Sequence, residues 1–129
     1  MTPQLNAIGL VTTDLAASLR FYRLLGLDIP DGAESQPHVE AVAGGIRIMW
    51  DTVATVESFG GPYTPPTGDA RVALAFACAD PAEVDAVWSR FADAGHSVTE
   101  PFDAPWGQRY ATVVDPDGNG VDLFAPLGS

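Results

Sequence analysis

Cysteine is nearly missing from this chain: Cys78 stands alone. No intramolecular disulfide can form and no thiolate cluster can hold zinc, which points to a reducing compartment. Basic residues are scarce as well, six Lys and Arg against seventeen Asp and Glu, for a net charge of −11. Such a surface repels phosphate, so nucleic acid is excluded as a partner. The acidic surplus keeps the chain soluble, and it would also attract cationic small molecules. Only two histidines occur, His38 and His96. Neither has a ligand-spaced companion, so both read as surface or structural residues. No apolar run reaches membrane-spanning length, and the start, MTPQLNAIGLV, lacks the basic region and apolar stretch of a signal peptide. A cytoplasmic protein without membrane contact is expected. What remains is ample for a core: 129 residues, 47% hydrophobic and 18% charged, read as one domain over residues 1–129.

Alternation in Leu5–Thr12 predicts a strand, with Asp14 placed to cap a helix over Leu15–Leu25. Leu15, Ser18, Leu19, Tyr22 and Leu25 share one helical face, and Gly26 suits a left-handed stop. His38–Val42 and Ile46–Asp51 read as a hairpin about Ala43-Gly44-Gly45. The segment Thr52–Asp69 holds Phe59-Gly60-Gly61-Pro62-Tyr63-Thr64-Pro65-Pro66, which no helix or central strand accommodates, and reads as a connection. A second series then follows. Val72–Cys78 alternates, Asp80-Pro81-Ala82-Glu83 opens a helix, Val84, Val87, Trp88 and Phe91 make its buried stripe, and Gly95 ends it. Ser97–Phe102 is a short strand. Gln108–Val114 and Gly120–Ala125 form a hairpin about Asp115-Pro116-Asp117-Gly118-Asn119, whose proline and glycine preset the turn.

Ile8–Val11 matches Leu74–Ala77, Asp14 matches Asp80, Gly26 matches Gly95, and Gly45–Ile48 matches Gly120–Leu123. The chain therefore reads as α+β, two tandem βαβββ modules over about 4–52 and 70–126. Neither module covers its own sheet, so the two mixed sheets are expected to form a shared concave cavity. Strand parity puts Ile8, Leu10, Leu74 and Phe76 toward the helices. The opposite faces carry the small residues Ala7, Gly9, Ala73, Ala75 and Ala77, a floor that is either filled by neighbours or left open for a ligand.

The element order, the Asp-Leu-x-x-Ser-x-x-Phe-Tyr-x-x-Leu-Gly run from Asp14 to Gly26, and Asp115–Asn119 before the last strand resemble the glyoxalase/bleomycin-resistance/extradiol-dioxygenase superfamily, the vicinal oxygen chelate fold. Nearly the whole chain is covered. The resemblance implies that metal ligands, where present, come from the first and last strands of each module. Here those positions hold Ala7, Arg47, Ala73 and Asp122, and only Asp122 could bind a metal. No metal and no other cofactor is therefore expected. Pro105-Trp106-Gly107 resembles the Pro-Trp-Gly of bleomycin-binding proteins, where the tryptophan stacks on the drug.

Three readings follow. The first is a metal-independent binding protein of the bleomycin-resistance type that sequesters a flat aromatic or cationic ligand, such as an antibiotic, between Trp106, Phe124, Tyr110 and Met49. Asp122 supplies charge, and Phe59 and Tyr63 from the connection complete the walls. Arg47 is expected to pair with Asp122 across the cavity floor or, alternatively, to point to water. Trp50 and Trp88 read as core. The second is a lyase, isomerase or dioxygenase with an atypical or absent metal site, against which the residues at Ala7, Arg47, Ala73 and Asp122 lean. A third reading makes the fold an interaction module, with homodimerisation implied by the resemblance.

Overall fold

The computed structural model describes residues 2–128. Contacts divide the chain into two compact units, Met1–Thr67 and Gly68–Ser129. The first unit runs β1 (Ala7–Thr12), α1 (Leu15–Leu24), β2 (His38–Ala43), β3 (Ile46–Thr52) and α2 (Val53–Gly60); the second runs β4 (Ala73–Ala77), α3 (Pro81–Asp93), β5 (Ser97–Ala104), β6 (Gln108–Val114) and β7 (Gly120–Pro126). The fold is α+β, as expected, with a three-stranded sheet ordered β1-β3-β2 and a four-stranded sheet ordered β4-β7-β6-β5. In each unit the first strand pairs parallel to the last, and the hairpin strands pair antiparallel.

Capping sets where the helices begin. Asp14 accepts from the Ala17 N–H at 3.0 Å, and Asp80 accepts from the Glu83 N–H at 2.8 Å with Pro81 at the first helical position. From those starts, α1 buries Leu15, Ser18, Leu19, Phe21 and Tyr22. Trp50 lies fully buried against this face, its indole N–H donating to the Ser18 hydroxyl at 3.1 Å and its ring meeting Tyr22 edge-on at 5.4 Å. Helix α3 contributes Val84 and Phe91 to a second core with Ala111, Val113, Val121, Leu123 and Ala125. Arg109 ties strand to helix, donating to Asp85 of α3 at 2.9 Å and to Asp103 of β5 at 3.0 Å. Trp88 is half-buried rather than fully buried, and its indole N–H has no hydrogen-bond partner among the described residues.

The turn between β6 and β7 is locked by Asp115, which is 3% exposed. Its carboxylate accepts from the Asp117 N–H, the Asn119 N–H and the Asn119 side-chain amide, each at 2.9 Å.

Two expectations are corrected. Among the described residues the first unit has no counterpart of β5, so it is βαββ rather than βαβββ. Between α1 and β2 the chain carries Pro30, Gly32 and Pro37 and forms only one short 3-10 turn over Ala33–Ser35; proline removes the ladder donors a strand there would need. The second correction is α2, a helix inside the segment read as pure connection. Thr52 caps it by accepting from the Thr55 N–H at 3.1 Å, and the helix stops where Gly60-Gly61-Pro62 begins. None of its residues is buried, so no apolar stripe announces it.

The registers also revise the alignment of the two repeats. Ala7 lies opposite Arg47, whereas Ala75, not Ala73, lies opposite Asp122. With Asp14 and Asp80 as matched caps, Asp122 corresponds to Met49, and Arg47 corresponds to Gly120. The shift is two residues, which preserves every inward and outward assignment.

Candidate functional site

In the second unit, the face of the sheet turned away from α3 carries alternate residues of three strands. Ala73, Ala75 and Ala77 of β4 lie beside Gly120, Asp122 and Phe124 of β7, and Thr112 and Tyr110 of β6 follow across the ladder. The three alanines are exposed. Small residues on β4 thus leave the Asp122 side of the sheet uncrowded within this unit. A concavity of about 300 Å³ opens here, lined by Asp69, Val98, Thr112, Gly120 and Asp122 among others.

Tyr110 donates its hydroxyl to Asp122 Oδ2 in a short hydrogen bond. Burial, together with the adjacent carboxylate, pushes the Tyr110 phenol up to about 12. The pair is therefore a neutral phenol holding one carboxylate oxygen, which leaves the other oxygen of Asp122 to accept from a ligand.

Beside this pair stands an aromatic cluster. Tyr110 meets Trp106 edge-on at 5.4 Å and Phe102 at 6.3 Å, while Phe102 and Trp106 are 6.2 Å apart and nearly perpendicular. Trp106 is fixed from two directions. Its indole N–H donates to Gln108 Oε1 at 2.8 Å, and the tight turn beneath it closes through the Gly107 N–H to the Ala104 carbonyl at 3.0 Å. Gly107 has φ 92°, a conformation that favours glycine. Trp106 nevertheless remains 59% exposed, and Phe102 36%.

The first unit presents a different chemistry on its matching face. His38 of β2 lies between two carboxylates, with Nδ1 2.6 Å from Asp51 and Nε2 2.6 Å from Glu40. Both ring nitrogens face acceptors, so the geometry calls for the imidazolium; the hydrogen bonds it donates to Glu40 and Asp51 raise the His38 pKa above its ordinary value. Arg47 donates to Glu40 at 2.6 Å and to Asn6 at 2.6 and 3.1 Å. Bonding to His38 and Arg47 lowers the Glu40 pKa. Met49 lies within this face, opposite Gly9 and Glu40.

Of the expected ligand-binding residues, Trp106, Tyr110, Asp122 and Phe124 come together on the second sheet. Arg47 and Met49 lie on the first. Within its own unit Arg47 bonds to Glu40 and Asn6, and within its own unit Asp122 bonds to Tyr110. Phe59 is 77% exposed on α2, and the Tyr63 N–H donates to Glu57 at 3.1 Å. Phe102 was missed although it alternates onto the same face as Tyr110; the bulged register of β5 around Pro101 hides that parity in the sequence. His38, expected to be a surface or structural residue, is exposed, with Glu40 beside it on β2 and Asp51 brought to it across the hairpin.

The residues at the implied metal positions do not fit a metal. Ala7 and Ala73, or Ala75 by the observed register, offer no donor, and Arg47 brings a fixed positive charge. Asp122 is one oxygen ligand, already bonded to Tyr110. Among the described residues no group of three His, Cys, Asp or Glu side chains is arranged to hold a metal ion. Cys78 is half-buried, and burial pushes its thiol up, away from a reactive thiolate. Among the described residues no helix is long and apolar enough to cross a membrane.

Comparison with known proteins gives one family. The model of the Glyoxalase/Bleomycin resistance protein/Dioxygenase superfamily matches residues 4–123. No curated protein sequence matches the chain. Among solved structures, a glyoxalase/bleomycin resistance protein/dioxygenase family enzyme from Burkholderia phytofirmans superposes with a TM-score of 0.83 at 19% identity, covering 97% of this chain and 100% of its own. A glyoxalase/bleomycin resistance protein/dioxygenase from Nocardioides gives 0.78 at 23% identity, covering 100% and 87%. A lactoylglutathione lyase from Agrobacterium tumefaciens gives 0.70 at 23% identity, covering 97% and 95%. At these identities the likeness is one of fold.

Proposed function

This chain belongs to the Glyoxalase/Bleomycin resistance protein/Dioxygenase superfamily, and from that premise we propose that it is a metal-independent binding protein that sequesters a flat, positively charged aromatic compound of the antibiotic class. The observation that carries the proposal is the pairing of an exposed, rigidly held Trp106 with the Tyr110–Asp122 pair on one sheet face. Trp106 offers a stacking and cation–π surface, Phe102 and Tyr110 hold it edge-on, and Asp122 offers an acceptor oxygen for a cationic N–H. The acidic surface, net −11, draws such a ligand in. Binding of this kind needs no bond to be made or broken. We extend the proposal to a homodimer in solution, as the family resemblance implies; a monomer by sedimentation at micromolar concentration removes that part.

The deciding experiment screens the purified protein against intercalating, quinone and glycopeptide antibiotics by thermal shift and tryptophan fluorescence, alongside elemental analysis of protein prepared without added metal. A cationic intercalator should raise the melting temperature. No response across the panel sinks the proposal, and stoichiometric metal would transfer support to a lyase, isomerase or dioxygenase reading.

A further inference from the structure

A flat cation stacked on Trp106 accounts for the aromatic cluster and for one oxygen of Asp122, and not for the concavity beside them. Strand β6 sets the layout. Trp106 stands in the turn that leads into it, Tyr110 has its ring 5.4 Å from Trp106, and Thr112 follows on the same face with Asp122 opposite. The concavity of about 300 Å³ takes in Thr112 and Asp122 and reaches Gly118 and Gly120 at the far end of the hairpin. Platform and concavity therefore adjoin along one strand, and Tyr110 and Thr112, the residues at the join, are roughly 7 Å apart.

The lining suits a carbon chain that ends in a cation. All of it belongs to the second unit. Gly120 puts no side chain on the floor, and Val98, 61% exposed, offers an apolar wall. The Thr112 hydroxyl is held in place by accepting from the Thr99 N–H at 3.0 Å. Asp69 lines the concavity as well, carried by the segment before β4, where Gly68 at φ 87° turns the chain. Asp122 is already bonded to the Tyr110 hydroxyl. The Asp69 carboxylate, in contrast, takes part in no hydrogen bond and no ion pair among the described residues. No arginine lines the concavity and the chain contains no lysine; Arg71, the cation closest to Asp69 in the sequence, lies outside the lining.

We propose that this concavity holds the tail of the ligand, a protonated alkylamine whose methylene chain runs past Val98 over Gly120 and whose ammonium meets Asp69. This rests on the binding reading above and narrows it, from flat aromatic cations in general to those that carry a flexible amine tail. The two carboxylates divide the work. Asp122, next to the Trp106–Tyr110 platform, serves the ring; Asp69, with no partner of its own, serves the tail.

The test titrates the whole protein by calorimetry with three acridines that share one ring: 9-amino-6-chloro-2-methoxyacridine, which has no tail, its 9-pentylamino analogue, whose tail is neutral, and quinacrine, whose tail ends in a tertiary ammonium. Quinacrine should bind about tenfold more tightly than the pentylamino compound. Asp69→Asn should bring quinacrine down to the affinity of the pentylamino compound, and Asp69→Glu should restore the difference. Asp93→Asn makes the same change in net charge at an exposed residue closing α3, on the other side of the sheet, and should leave all three affinities as they are. That control separates contact with Asp69 from the general pull of an acidic protein. If the tail-less acridine binds and quinacrine binds no more tightly than the pentylamino compound, the tail site is overturned while the stacking reading stands. Equal losses of quinacrine affinity in Asp69→Asn and Asp93→Asn overturn it as well. Failure of all three acridines to bind takes down the stacking reading, and the tail site with it.

Discussion

Replacing Trp106 by alanine tests the binding site most directly. Trp106 is 59% exposed, which for a residue of about 250 Å² leaves roughly 150 Å² in water, of which a stacked ligand covers one face, about 75 Å². At about 25 cal/mol per Å², that coverage contributes on the order of 2 kcal/mol. Trp106→Ala should therefore weaken a cationic acridine dye by roughly 25-fold. Trp106→Phe keeps a smaller ring on the same turn and should lose about fivefold. Isothermal titration calorimetry is the right assay, because fluorescence would change with the tryptophan itself. Neither variant should alter folding, since Trp106 packs only against partly exposed neighbours, and near-ultraviolet circular dichroism from buried Trp50 reports on that. An unchanged affinity in Trp106→Ala refutes the stacking argument, whatever happens to other residues.

Four further outcomes follow from the same geometry. Asp122→Asn should weaken a cationic dye about tenfold and leave a neutral isostere nearly unaffected, a charge discrimination read by paired titrations. Ser18→Ala strands the indole N–H of fully buried Trp50 and should cost about 1–3 kcal/mol in urea unfolding; a loss below the error of extrapolation would mean the bond contributes nothing. His38 has its pKa raised in the folded state by Glu40 and then Asp51, so its contribution is complete below the unfolded value near 6.5 and disappears as pH rises through the folded value. NMR titration of the His38 ring should show that raised midpoint, and Asp51→Asn should lower it. Manganese, nickel, zinc and iron should leave the melting temperature unmoved, in keeping with donors that do not form a metal set; saturable stabilisation by any of them would contradict that analysis.

Where alternation is regular, the sequence determined the structure closely. Gln108–Val114 forms a strand with the expected bounds, the caps Asp14 and Asp80 sit where they were read, and the small-residue face of β4 is exposed. Trp106, Tyr110, Phe124 and Asp122 share one unit because parity within two adjacent strands places three of them and a turn places the fourth. Legibility fails where geometry depends on pairing across distance. The offset of Asp122 from Arg47 is set by which residues of the parallel strands lie opposite each other, and no local pattern encodes that. Phe102 is hidden by the bulges of β5, and α2 by its lack of any buried stripe. The loss of a strand before β2 was visible in Pro30, Gly32 and Pro37, but the repeat argument overrode those residues.

The knot at Asp115 has an evolutionary corollary. Three donors converge on one buried carboxylate, so these bonds require the present number of residues between β6 and β7, and with it the facing of Tyr110 and Asp122. Point substitutions on the open face can retune what is bound while the scaffold stays as it is. Insertion of one residue in Asp115–Asn119 would move Val121 into the place of Asp122 and turn the carboxylate into the core. Lineages of this chain should therefore diversify their ligands by exchanging side chains, and the length of this turn should change far more slowly than the residues that flank it.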